Sequence, residues 1–501
     1  MSKKTTTKKP YVLTKSTFMR GVQCPKFLYL GDREKVPAPT PEDQFRMDLG
    51  KKAGEFARNY FPGGVLVDHP SIDERLTQTQ KAIQSGSLII YEATFIHDEV
   101  QVKVDILRRE TVSSPWEIWE AKGFTNKKSH EAEYLPDIAI QTWVLKNQKG
   151  ISYGSSHLIY LDREATTSNP PDLFTSENVT EEIKPLLNEM PKLLSEMKKV
   201  LKANKSPEVK ISSHCNSPRP CPFKEKCWSH VPDPSILDLF TRGNKVNLWK
   251  QLYQNVLSLE DPNAKGSTPL HEIILRVERT GEPHIAAGLI KDIIEKKWKY
   301  PLYFLDFETF TDSVPKFDGM NPWAQIPFQF SLHKLDEKGV LTHQEYLFDK
   351  PGDPREALSK ALVEACDEKG TIFSWHDFEE KVIKALAESC PAYSNELQKI
   401  IDRLFDLLDV FCDGMINYKE FKRSFSLKSV APALLGDKFS YEGMKIGNGV
   451  EAQIAYVELT AQETSATRKE EIKKELKIYC KQDTEAMVEL VKWVRERVSG
   501  G

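Results

Sequence analysis

No apolar run in this chain approaches the roughly 20 residues that a membrane-spanning helix requires. Net charge is also scarce, at −3. Bulk charge therefore offers a polyanion no attraction, and a nucleic-acid site must gather its basic residues in clefts. Repeats and low-complexity tracts are missing. The first ten residues, Met1 to Pro10, are rich in lysine and threonine and lack the apolar stretch of a secretion signal. They read as a solvated tail, and a reducing cytoplasmic location is expected. Cysteine is sparse, with 8 in the chain. In such a compartment, clustered cysteines favour metal over disulfides.

Hydrophobic residues at 40% and aromatics at 10% exclude a disordered chain. A length of 501 residues is too great for one ordinary core and predicts two or three domains. The spacing predicts a helix capped by Ser16 that runs through Phe18 to Phe27 with Cys24 inside it, and another from Asp43 to Tyr60. Strands are expected at Leu88 to Phe95, Val100 to Leu107 and Trp116 to Lys122. In the second, Val100, Val102, Val104 and Ile106 face one way, and Gln101, Lys103 and Asp105 the other. A helix near Asp137 to Leu145, a strand at His157 to Leu161 and a helix at Glu181 to Ala203 follow. Residues 232–299 read as a helical connector. Beyond Tyr300 come strands at Tyr303 to Thr309, Phe328 to His333, Gln344 to Phe348 and Thr371 to Trp375. Helices follow at Asp377 to Ser389, Glu396 to Asp413 and Ser465 to Val498. The fold class is α/β.

Four cysteines form a bracket: Cys24 near the start, then Cys215, Cys221 and Cys227. Thiolates at this spacing suit zinc and an iron–sulfur cluster alike. Cys366, Cys390, Cys412 and Cys480 are scattered and read as packing residues. Inside the bracket lie Asp105 and Glu120-Ala121-Lys122. Strand alternation sets Glu120 and Lys122 on one face. Two carboxylates can hold a hard divalent cation, and an ammonium beside them can orient water or stabilise a phosphorane-like transition state.

Over residues 11–231 the sequence resembles the RecB-like PD-(D/E)XK nucleases that carry an iron–sulfur cluster, such as the CRISPR-associated RecB-like exonucleases and the AddB nuclease domain. The likeness rests on Ser16-Thr17-Phe18 through Gln23-Cys24-Pro25, Gly54-Glu55, Val104-Asp105-Ile106, Glu120-Ala121-Lys122, Gln141 and the late cysteines. It implies a restriction-endonuclease-like domain in which Glu55, Asp105 and Glu120 contribute to a metal site, Lys122 is the catalytic lysine and Gln141 stands beside the substrate. It also implies a [4Fe–4S] cluster on Cys24, Cys215, Cys221 and Cys227, with zinc as the alternative.

A second constellation follows. Asp306 and Glu308 share a strand face, Glu379 and Asp377 flank a strand-to-helix junction, and Tyr479 and Asp483 lie four apart on a helix. Over 300–501 these resemble the tyrosine-bearing DEDD exonucleases of the ribonuclease H-like fold. The resemblance implies that Asp306, Glu308, Glu379 and Asp483 bind metal while Tyr479 assists the attacking water. Asp377 competes with Glu379 for the third carboxylate position. The whole arrangement is similar to a bacterial family, domain of unknown function 2779, that joins both nuclease-like modules. Lys419, Lys422, Arg423 and Lys428 interleave with Phe421 and Phe425, a pattern that suits a grip on a single strand through charge and stacking but reads first as a solvated loop with two core aromatics.

Both resemblances imply Mg²⁺- or Mn²⁺-dependent phosphodiester hydrolysis on nucleic acid, with DNA favoured over RNA and no membrane partner. Two rival expectations stand beside this. In one, a single module cleaves and the other binds nucleic acid. In the other, the chain is a non-enzymatic iron–sulfur scaffold.

Overall fold

The structure, a computed structural model, describes residues 13–241 and 245–499, so the expected tail at 1–10 lies outside the described residues. The chain is mixed α/β and divides into two compact units. One holds residues up to Ser229 together with Asp312–Ala324; the other holds His230–Thr311 and the residues from Gln325 onward. No described helix is long and apolar enough to cross a membrane.

In the first unit the elements run β1 (Leu13–Thr14), α1 (Lys15–Gln23), α2 (Pro25–Arg33), α3 (Pro41–Phe56), β2 (Val65–Leu66), α4 (Ile72–Gln84), β3 (Ile89–His97) and β4 (Val100–Arg108). Then come β5 (Trp116–Lys122), α5 (Glu131–Lys146), β6 (Tyr153–Leu161), α6 (Pro170–Leu173), β7 (Phe174–Asn178), α7 (Lys184–Lys202) and α8 (Lys224–Trp228). The sheet order is β2-β3-β4-β5-β6-β7, with β1 parallel to β4 off that path. β5 and β6 are parallel and α5 makes the crossover between them.

The first helix departs from expectation. Thr14, not Ser16, is its cap, in a reciprocal capping box with Thr17. Cys24 lies between two helices rather than within one. Pro25 opens α2, and a residue before proline is pushed to extended backbone, which Cys24 adopts at φ −165° and ψ 126°.

The alternation read along β4 holds through Val100, Val102 and Val104, which enter the core beneath α5 and α7. It fails at Ile106, which joins a second cluster with Tyr91 and Trp119. On the neighbouring strand Glu92 turns through φ 62°, and the β3–β4 pairing skips Glu92 and Asp105. The irregularity falls at Asp105.

The second unit contains α9 (Val246–Tyr253), α10 (Pro269–Thr280), β8 (His284–Ile285), α11 (Ala287–Lys297), β9 (Leu302–Phe310), β10 (Ile326–Leu335), β11 (Leu341–Leu347) and α12 (Arg355–Ala365). After these come β12 (Thr371–Ser374), α13 (Phe378–Ser389), α14 (Ser394–Ile401), β13 (Leu404–Asp406), α15 (Asp409–Cys412), β14 (Ile416–Asn417), α16 (Leu427–Leu435), α17 (Gly449–Thr460) and α18 (Ala466–Ser499). Five strands form the order β11-β10-β9-β12-β13. β9 lies at the centre, antiparallel to β10 and parallel to β12. Gly370 enters β12 at φ 98°, where an added Cβ would lie 2.0 Å from the carbonyl oxygen of Pro301.

The connector expected at 232–299 is not separate. β8 pairs with β14, α11 packs on α18, and Trp298 meets Phe373 edge to face at 5.0 Å. The helix expected from Glu396 to Asp413 is interrupted by β13, which pairs in parallel with β12. The segment Asp312–Ala324, inside the domain expected at 300–501, belongs instead to the first unit. There Val314 joins the cluster of Tyr91 and Trp119, Lys52 donates to Asp312 at 2.6 Å, and Ser313 donates to the Leu49 carbonyl at 2.7 Å.

Candidate functional site

The first unit gathers acidic residues from three elements. β4 and β5 pair with Ile106 opposite Trp119, and continuing that register by one residue sets Asp105 against Glu120. Oδ2 of Asp105 accepts from the Ala121 amide at 3.0 Å. Lys122 donates to Oε1 of Glu120 at 2.8 Å and to Oδ2 of Asp137 at 2.6 Å. Asp137 lies one helical turn before Gln141 on α5, so the two share a face. The Gln141 amide donates to Glu120 at 2.7 Å and to Asp137 at 3.0 Å. Sequence reasoning missed Asp137, although its spacing from Gln141 was a signal. It also missed Lys15, whose Nζ lies 2.9 Å from Glu120.

The electrostatics follow from this packing. Burial and Asp105 both push the Glu120 pKa up, but Lys122 and Lys15 outweigh them and hold it below its ordinary value. Burial opposes the charge on Lys122, yet Asp137 and Glu120 raise its pKa above that of a free lysine. Oε1 of Gln141 is buried without a protein hydrogen-bond partner. An orphaned oxygen beside three carboxylates fits a cation or a substrate donor.

Glu55 does not join this group. α3 buries Leu49 and Ala53, one turn apart, and Glu55 falls on the other face of the helix. It is exposed there and pairs with Lys51 at 3.5 Å.

The four bracket cysteines converge on one cavity lined also by Phe27, Leu30 and Phe223, and none is in a disulfide. Burial raises the thiol pKa of Cys24 and of Cys221; Cys215 and Cys227 add to the rise at both, and Cys24 adds to it at Cys221. The Cys221 amide donates to the Cys215 carbonyl at 2.8 Å, and the Cys227 amide to that of Phe223 at 3.1 Å. Zn–S bonds of about 2.3 Å would set tetrahedral sulfurs roughly 3.8 Å apart. Among the described residues, the groups whose ligand atoms all lie within 4.8 Å of one another do not include these cysteines. Four thiols around one cavity are a donor set that suits zinc and an iron–sulfur cluster alike.

The second unit gathers a separate acidic site. Asp306 and Glu308 come from the central strand β9, Glu379 from the first turn of α13, and Asp483 from α18. Glu308, Glu379 and Asp483 are buried, and none forms an ion pair with a cation among the described residues. Burial raises the pKa of all four carboxyls. Asp483 adds to the rise at Asp306, and Asp306 adds to it at Glu308 and Glu379. Asp483 is pushed up to about 6, chiefly by burial. Buried carboxyls of this kind hold a proton or take a cation, and Oε2 of Glu379 is buried without a protein partner. Asp377 is drawn away by Lys381 at 2.7 Å and His376 at 2.6 Å, which favours Glu379 for the third position.

Three side chains here were not expected. Tyr441 donates to Oδ1 of Asp483. Lys428, read as part of a solvated loop, donates to the phenolic oxygen of Tyr479 at 3.1 Å, and its Nζ lies 5.0 Å from the ring centroids of both tyrosines. Burial lowers its pKa. Cys480, assigned to packing, places Sγ 3.4 Å from Oδ2 of Asp306 and within reach of Glu308. The aromatics of the same stretch behave as expected, with Phe421 and Phe425 buried.

Residues 303–426, which include Asp306, Glu308 and Glu379, match the family model described as "Domain of unknown function (DUF2779)". The "Uncharacterized protein MG366" of Mycoplasma genitalium is 24% identical over 255 residues, covering 47% of this chain and 38% of that protein. Its homolog in Mycoplasma pneumoniae is 26% identical over 237 residues, covering 43% of this chain and 35% of its own length. The matched stretch thus spans well under half of these relatives. The likeness to that family is confined to residues 303–426 of the 501.

Proposed function

We propose that this chain is a divalent-metal-dependent nuclease with two hydrolytic sites, one in each unit. The first would be a PD-(D/E)XK-like site and the second a ribonuclease H-like exonuclease site of the DEDD class. The observation that carries this reading is the assembly of two separate acidic groups from distant segments. One is Asp105, Glu120 and Asp137 with a lysine between carboxylates; the other is Asp306, Glu308, Glu379 and Asp483 with a tyrosine alongside.

Mg²⁺ or Mn²⁺ on these carboxylates would activate water and neutralise phosphate charge. Lys122 is placed to hold Glu120 and to meet charge developing on a phosphate. Gln141 fixes Glu120 and Asp137 through its amide and keeps a free carbonyl oxygen. In the second unit Asp306, Glu308, Glu379 and Asp483 would hold the ions. Tyr441 orients Asp483, and Tyr479 would position the attacking water. The cysteine-lined site would hold a [4Fe–4S] cluster that ties the start of the first unit to its end. Neither unit carries a base-reading motif, so a backbone-directed substrate is proposed: DNA ends or single strands, with RNA as the alternative.

End-labelled single strands incubated with Mn²⁺ test this reading. Asp105→Ala and Asp306→Ala should each remove part of the cleavage. Activity untouched by either variant would refute it. A narrower reading, in which only the second unit cleaves, draws on the position of Glu55 outside the first acidic group.

A further inference from the structure

Lys15, like Asp137, belongs to the first site without having been expected there. Its Nζ lies 2.9 Å from Oε1 of Glu120 and 3.1 Å from Oδ1 of Asp137. Lys122 reaches the same two carboxylates at 2.8 and 2.6 Å. Two ammonium groups therefore bridge one pair of carboxylates, with Asp105 close enough to act on both lysines. Three carboxylates gathered at one point repel one another, and one lysine leaves two charges uncompensated. The second lysine offsets a further charge and holds the Glu120 and Asp137 side chains in place.

Lys15 is also unusually well anchored. It opens α1, a helix of nine residues and roughly 13 Å. On its N-terminal side, Leu13 and Thr14 pair in parallel with Val100 and Gln101 of β4, and Thr14 closes the capping box. At the C-terminal end, the Gln23 amide donates to the carbonyls of His214 at 2.9 Å and Arg219 at 2.8 Å. The next residue, Cys24, lines one cavity with the three late cysteines. Along its side, Gly21 is packed so closely that an added Cβ would lie 2.7 Å from Cε of Met197 in α7. One end of this rod lies in the acidic site and the other in the cysteine-lined site.

We propose that Lys15 is a positioning residue of the first site, setting Glu120 and Asp137 for the divalent ion, and that the cysteine-lined site anchors α1 so that Lys15 stays there. This inference rests on the nuclease reading of the first unit. The cysteine site then has a function beyond closing a loop, because its loss releases a side chain that the acidic site requires.

The test uses the full-length protein carrying Asp306→Ala, so that cleavage reports the first site. Lys15→Met should raise the Mn²⁺ concentration for half-maximal cleavage by about 10- to 100-fold, with KM for the strand and thermal stability little changed. Lys15→Arg should recover much of the loss. Amine labelling followed by mass spectrometry should find Lys15 protected, and labelled as fast as the exposed Lys51 once Cys24→Ser is introduced. If Cys24→Ser does not fold, Gln23→Ala, which breaks the same clamp, should give the same gain in labelling. Unchanged Mn²⁺ dependence in Lys15→Met would overturn the positioning role. Continued protection of Lys15 in folded Cys24→Ser or Gln23→Ala protein would overturn the anchoring. If Asp105→Ala leaves cleavage intact in the same background, the nuclease reading of this unit fails first. If Asp105→Ala abolishes cleavage while Lys15→Met does nothing, only the inference about Lys15 fails.

Discussion

Lys428 and Tyr479, 51 positions apart in sequence, meet at 3.1 Å, ammonium to phenolic oxygen, beside the acidic group of the second unit. Tyr441 takes the place beside Asp483 that the four-residue spacing assigned to Tyr479. The phenol expected to lie on a metal-bound carboxylate is held instead by a half-buried cation.

This arrangement predicts that Lys428 sets the orientation of Tyr479. Lys428→Met should lower second-site turnover by about 10²- to 10³-fold, measured with Asp105→Ala present to silence the first site. Tyr479→Phe should produce a loss of similar size, and the double variant should lose little more, because the two act as one unit. Independent, multiplying losses would contradict the pairing.

The pH dependence of the metal-free second unit has a definite sign. Burial raises the pKa of Asp306, Glu308 and Glu379, and moves Asp483 from 3.8 to about 6. The folded state therefore holds these protons more tightly than the unfolded chain. Stability is full below pH 3.8 for Asp483 and falls as pH rises through about 6. The loss from this group alone is roughly 3 kcal/mol. Thermal melts in chelator across this range should show the second unit weakening. Mn²⁺ should restore it at pH 7, because ions bind the ionised carboxylates. Asp483→Asn should flatten the profile.

The sequence made some of this legible and hid the rest for physical reasons. Asp105, Glu120 and Lys122 lie on strands whose apolar pattern is strong, so their elements and approximate faces could be read. Asp306 and Glu308 were legible in the same way. Glu55 was carried over by resemblance alone, and the buried stripe of Leu49 and Ala53 turns it outward. Asp137 was within reach, one helical turn from Gln141. Lys15, Lys428 and Tyr441 carried no signal, because their roles arise from tertiary meetings with residues 51 positions away in one case and 105 in another. β13 was lost inside an expected helix because three residues, Leu404–Asp406, are too few to show a period of their own.

The cysteine-lined site predicts a coloured protein. Iron and acid-labile sulfide should be found together after anaerobic purification, with a broad visible charge-transfer band. Cys24→Ser and Cys221→Ser should remove the band and destabilise the first unit to a similar degree, since each supplies one corner of the same closure. Colourless protein containing stoichiometric zinc would contradict the cluster.

Trp323 tests the segment that the first unit takes from within the later sequence. Its indole Nε1 donates to the carbonyl of Gly123, next to Lys122, at 2.6 Å, and its side chain packs against the cluster holding Tyr91 and Trp119. Trp323→Ala should destabilise the first unit by about 2–4 kcal/mol. It should also lower first-site cleavage by loosening the end of β5. Denaturant melts followed by cleavage assays in the Asp306→Ala background measure both effects.

The central claim is two hydrolytic sites on separate acidic groups. Its most direct test is a time course of Mn²⁺-dependent cleavage of end-labelled single-stranded DNA by four full-length proteins: the natural sequence, Asp105→Ala, Asp306→Ala and the double variant. Each single substitution should remove a distinct class of products, and the double variant should be inert. A double variant that cleaves like the natural sequence, or a natural sequence inert with every divalent ion, would contradict the account.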